Sequence, residues 1–120
     1  MEWFLNLLKS LAGSEQGRQL LFADGGRSGQ VIYIDKIGRL EFYFEFAGGN
    51  CLAIVTVPST SEWHRATGRP ADTRYEILTY IAEQIIIQKA PGHRYKIIED
   101  AIEILSTWKG GEYVKHFIKI

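Results

Sequence analysis

The chain has one cysteine, Cys51, in 120 residues. No disulfide can form within it, which suits a reducing compartment. Neither charge is in excess: 14 Lys and Arg stand against 14 Asp and Glu. A duplex nucleic-acid binder needs clustered Lys and Arg. No such run is present, and nucleic acid is not an expected partner. No apolar stretch approaches the ~20 residues of a membrane span. Met1 to Lys9 lacks the basic region that opens a signal peptide. No membrane role is expected, and the cytoplasm is the expected location.

Several chemistries are missing as well. His64, His93 and His116 show no i, i+4 pair, and no Cys or carboxylate completes a metal spacing. No metal or cofactor is expected. The loop Gly25-Gly26-Arg27-Ser28-Gly29 matches neither GxxxxGK[ST] nor GxGxxG, and there is no G-x-S-x-G elbow. It reads as a hairpin connection. Cys51 lies between Asn50 and Leu52, which supply no positive field to activate a thiol. It reads as a buried small hydrophobe. No catalytic residue is expected.

What is present belongs to one ordinary globular domain spanning 1–120. Hydrophobic residues make up 46% and charged residues 23%. A domain of this length buries roughly two-thirds of its unfolded surface. Zero net charge also favours association with itself or a partner.

The pattern of elements gives a fold class. Trp3 or Phe4, Leu7, Leu8 and Leu11 recur at helical spacing, predicting a helix over 2–12 that stops at Gly13. Residues 19–23 and 30–35 predict two strands around the glycine loop, and Lys36-Ile37-Gly38 permits a reversal. Over 39–46, Leu40, Phe42, Phe44 and Phe46 alternate with Arg39, Glu41, Tyr43 and Glu45. That is a strand with one apolar and one polar face. Residues 51–57 are almost continuously apolar, which suggests a central strand covered on both faces. Pro58 ends it.

A short helix is predicted near 61–67, closed by Gly68 and Pro70. A long one follows over about 73–90, with Thr73 and Glu76 at capping-box spacing. Its face is Leu78, Ile81, Ala82 and Ile85, widened by Ile77, Ile86 and Ile87. Pro91-Gly92 stops it. Residues 93–98 and 101–105 read as a hairpin, and 112–120 as a last strand. The order predicts an α+β fold: a mainly antiparallel sheet, an N-terminal helix, and the long helix packed on one face. The alternative is that strand 51–57, the helical region and strand 93–98 make a crossover, which would be right-handed.

Eight residues stand out as candidate partner- or ligand-binding positions. Glu41, Tyr43 and Glu45 share the polar face of strand 39–46. The two carboxylates sit ~13 Å apart, too far for a glycosidase pair. That face is either solvated or partner-facing. Trp63, His64, Arg65 and Arg69 follow the apolar strand, with Arg74 close behind. Trp and Arg are enriched at interface hot spots, and Arg65, Arg69 and Arg74 have the chemistry to gather an anion at a helix start. The competing reading has Trp63 capping the core while the arginines pair locally.

These features point to a non-catalytic interaction domain with a protein partner or with itself, of a toxin-neutralising or accessory kind. Aromatics at expected edges agree: Trp3, Phe4, Trp63, Trp108 and Tyr113. The alternative is a small-ligand binder or enzyme with a pocket between the sheet and the long helix, its mouth lined by Tyr33, Tyr43, His64 and the nearby arginines.

Overall fold

The computed structural model describes residues 17–106. The helix expected over 2–12 and the strand expected over 112–120 lie outside the described residues, as do Trp3, Phe4, Trp108, Tyr113 and His116. Within them run β1 (Gln19–Asp24), β2 (Ser28–Ile34), β3 (Arg39–Phe46) and β4 (Cys51–Thr56). Then come α1 (Trp63–Thr67), a 3-10 turn (Ala71–Thr73), α2 (Arg74–Lys89), β5 (Arg94–Ile97) and β6 (Ala101–Leu105). The strands form one six-stranded sheet in the order β1-β2-β3-β4-β6-β5. Every adjacent pair is antiparallel. Because β4 and β5 both run antiparallel to β6, they are parallel to each other. The helical region is therefore a crossover, and β6 turns back to fill the place between them.

Register explains the two faces. Leu20 lies opposite Tyr33, which lies opposite Leu40; Phe22, Val31 and Phe42 form the next row. Phe44, Val55, Ile102 and Ile97 make a third row, and Phe46, Ala53, Ile104 and Tyr95 a fourth. These rows share the face that α2 covers. The alternation seen over 39–46 thus extends across the sheet, since side chains change face at each residue.

Helix α2 turns Ile77, Leu78, Ile81, Ala82 and Ile85 into this core. Ile86 packs at its edge. Ile87, expected on the same face, is 66% exposed; at 100° per residue it lies 200° from Ile85. The capping box is not formed either. Thr73 is already helical (φ −86°, ψ −8°), and its hydroxyl donates to the Pro70 carbonyl at 2.6 Å. Glu76 turns outward to Arg18 at 2.9 Å.

The opposite face is less fully covered. It carries Leu21, Ile32 and Ile34 on the β1–β2 side, then Glu41, Tyr43 and Glu45 on β3. Strand β4 is central, as its apolar run suggests. However, its burial is one-sided. Val55 is buried against α2's face, whereas Ile54 is only half-buried on the other side, between Glu45 and Glu103 in register. Among the described residues, no helix is long and apolar enough to cross a membrane.

Candidate functional site

The residues after β4 determine how one end of the sheet is closed. Trp63, on the first turn of α1, is fully buried. Its ring stacks on Phe42 at 6.2 Å between centroids, and its indole N–H donates to the Thr73 hydroxyl at 3.3 Å. As a partner-contacting side chain it is therefore misplaced: the chain turns back over the sheet after Pro58, and the indole fills the core below. Gly68 ends α1 in the left-handed conformation, φ 74°, and its N–H donates to the His64 carbonyl. Only glycine takes that conformation without steric cost.

Arg69 then turns inward and is 6% exposed. It grips Asp35 with two parallel bonds, 2.8 and 3.0 Å, the fork geometry of a strong arginine–carboxylate pair. Asp35 also accepts the Tyr33 hydroxyl at 3.0 Å and the N–H groups of Ile37 and Gly38. Burial pushes the Asp35 carboxyl up, but the Arg69 bond, the two N–H groups and the Tyr33 hydroxyl outweigh it and hold it below its ordinary value. Burial, reinforced by the charge of Asp35 and its bond, pushes Tyr33 up to about 12.

Arg74 is 8% exposed and, among the described residues, forms no salt bridge with a carboxylate. Its guanidinium donates to the carbonyls of Pro58 (3.0 Å), Ile98 (3.2 Å) and Glu99 (2.7 Å). The start of α2 is thereby tied to the end of β4 and to the β5–β6 turn. Arg65 sits on the surface against Glu62. The three arginines do not converge on an anion site: two are buried and committed, and one is solvated. His64 is exposed, with Nδ1 3.1 Å from the Arg69 carbonyl. Since a carbonyl only accepts, that nitrogen carries the proton. Tyr33 and Arg69 meet around Asp35, but Tyr43 lies on the other sheet face, so the expected pocket mouth is not assembled.

Beside this closed end the sheet splits. Strand β3 pairs with β2 from Arg39 to Glu45, but with β4 only over Phe44–Phe46 against Ala53–Val55. Asp35 N–H donates to the Gly38 carbonyl, and Phe46 N–H to the Arg27 carbonyl. Even-numbered residues of β3 therefore turn their main-chain groups to β2, and odd-numbered ones turn to the β4 side. The Ala47 N–H bond to the Leu52 carbonyl follows the same parity. Glu41 then directs its N–H and C=O into a groove rather than at any strand among the described residues. That groove, about 680 Å³, is lined by Leu40, Phe42, Tyr43, Thr56, Val57 and Thr67, among others. Glu41 itself pairs through its side chain with Arg39. Tyr43 is 46% exposed, and Glu45 is exposed beside it. No cation among the described residues pairs with Glu45.

A second cavity, of about 530 Å³, opens at the other end of the sheet, below the last turns of α2. Its walls are apolar, from Phe22, Phe44, Phe46, Leu52 and Ile85, with Lys89 at the rim. Reading the sequence did not single these residues out. Phe44 and Phe46 register there only as an apolar ladder. Asp35 was also missed, although an Asp at a reversal followed by Gly38 is a turn signal. Among the described residues no three His, Cys, Asp or Glu side chains cluster to hold a metal ion. Cys51 is half-buried at the start of β4, and burial, then the charge of Glu103, raises its thiol pKa.

No family model, no curated protein and no solved structure matches the chain.

Proposed function

We propose that the protein is a non-catalytic interaction domain that takes an extended segment of a partner protein into the β3 groove as an added strand. The observation that carries this reading is the main chain of Glu41, unpaired on this side among the described residues, beside the 680 Å³ groove. Strand addition draws its affinity from main-chain hydrogen bonds and its selectivity from pockets for alternate side chains. Both elements are supplied here. One side of the incoming segment would meet Leu40, Phe42 and Val57; the other would lie beside Tyr43, Thr56 and Glu45. The partner segment is thus alternately apolar and polar, with a basic residue placed for Glu45. Of the eight candidate residues, Glu41, Tyr43 and Glu45 carry this role. Trp63, Arg69 and Arg74 hold the groove's walls in place from within.

Octapeptides selected from a random display library against the full chain test it. They should show apolar residues at alternate positions. Glu41→Pro removes an N–H aimed into the groove while leaving the β2 ladder intact, because that ladder is made by the even-numbered residues. It should weaken the selected peptides roughly tenfold, the worth of one lost main-chain bond, with little change in melting temperature. Undiminished binding by this variant, or failure to select any peptide, would sink the reading.

A further inference from the structure

The cavity under the last turns of α2 lies toward the C-terminal end of β3, beyond the β3 groove, and a different observation bears on it. At about 530 Å³ it falls within the ~300–1,000 Å³ of small-molecule pockets. Such pockets are mostly apolar with a few placed polar groups, and this one has apolar walls and a single cation. The Lys89 ammonium stands 4.9 Å above the centre of the Phe22 ring. Among the described residues, no carboxylate lies within ion-pair distance of it. Phe46 is 51% exposed and meets Phe44 edge-on at 5.6 Å between centroids. An aromatic side chain left half in water on a cavity wall has apolar area still to bury.

The chemistry of these walls narrows the occupant. A sugar or nucleotide would bring many hydroxyls and amides against surfaces that cannot hydrogen-bond them, at a cost for each. A neutral hydrocarbon would fill the space and leave Lys89 without an anion. We propose that the cavity binds a single-chain amphiphilic carboxylate, a medium-chain fatty acid being the simplest. The hydrocarbon lies among Phe22, Phe44, Leu52 and Ile85, and the carboxylate accepts hydrogen bonds from Lys89 at the rim.

Calorimetric titration of the full chain with decanoate, 1-decanol and decylammonium, all below micellar concentrations, tests the assignment. Decanoate should saturate at one molecule per chain and bind at least roughly tenfold more tightly than decanol, the effect of one charge-assisted bond. Lys89→Glu, a change at an exposed position, should reverse the preference toward decylammonium. Ala53→Phe, which fills the cavity from its sheet wall, should abolish binding of all three. Equal affinity for decanoate and decanol, or a preference unmoved by Lys89→Glu, overturns the proposal. So does saturable binding that survives Ala53→Phe in a folded chain. If Ala53→Phe fails to fold, the Lys89→Glu reversal still decides. Co-sedimentation with phosphatidylglycerol vesicles without decanoate binding would also overturn it, in favour of a lipid surface.

Discussion

The two ends of the helix-on-sheet layer are built on opposite plans. At the start of α2 the space between layers is closed by polar groups that are buried and satisfied: Arg69 on Asp35, Arg74 on three carbonyls, Tyr33 on Asp35, and Trp63 on Phe42 and Thr73. At its end an apolar cavity opens between the same two layers, and only Lys89 is charged at the rim. Hydrophobic burial is non-directional, whereas a bidentate guanidinium fixes position and angle. The closed end therefore sets the register of helix on sheet and the shape of the neighbouring groove, and the far end keeps its cavity.

The strongest way to break that difference is to remove the Arg69 fork. Arg69→Met keeps much of the apolar stem but leaves the Asp35 carboxylate half-buried without its cation. Breaking one partner of a buried pair costs about 3–5 kcal/mol. Urea unfolding should show a loss of that size. A loss below about 1 kcal/mol would mean that the pair behaves as a surface salt bridge and does not hold this end.

A somewhat smaller effect is expected with pH, and its sign differs on the two sides of neutrality. Tyr33 has a folded pKa raised to about 12 from 10.0. Its contribution is complete below about pH 10 and is lost as pH rises toward 12, because the unfolded chain gives up that proton first. Two units amount to about 2–3 kcal/mol. Asp35, with its folded pKa lowered, contributes above the ordinary aspartate pKa, and that part is lost as pH falls through its folded value. Tyr33→Phe should make the alkaline limb of the stability profile between about pH 10 and 12 shallower, with Tyr80 and Tyr95, also pushed up by burial, supplying the rest, and leave the acid limb standing. An unchanged alkaline limb would show that the hydroxyl is not held neutral at the closed end.

The same contrast explains what could be read from the chain alone. Strand β3 was legible to the residue, because strict alternation over eight positions has only one period. The position of β4 inside the sheet and the long helix were legible for similar reasons. The destinations of the arginines were not. Arg65, Arg69 and Arg74 are alike in a sequence, and what separates them is which carbonyls and carboxylates tertiary contacts bring within reach. Arg69 meets Asp35 across 34 positions, and Arg74 meets Glu99 across 25. Trp63 is ambiguous for the same reason, since both an interface anchor and a core plug follow a strand end, and its full burial agrees with the second. The split between β3 and β4 left its only trace in Pro58, which marks where β4 stops pairing but not which residues of β3 are thereby left beside a groove. The cavity is a failure of two layers to meet, and no residue type encodes that.

The finest test of the comparison adds the same volume at both ends. Ala82 is fully buried in α2, within the packed part of the core. Ala53 faces α2 from β4 but lines the cavity. Extra methylenes forced into a well-packed core typically cost 1–3 kcal/mol, roughly. Ala82→Leu should therefore destabilise by about that much. Ala53→Leu places the same side chain where space already exists and should be neutral, or stabilising by up to about 1 kcal/mol as it buries new apolar surface. Chemical denaturation of the two variants side by side reads the difference directly. Equal losses would mean that the layers are packed alike along α2 and that the space below its last turns closes in solution. A loss confined to Ala82→Leu would show that the open end stays open in the folded protein, without needing any ligand to reveal it.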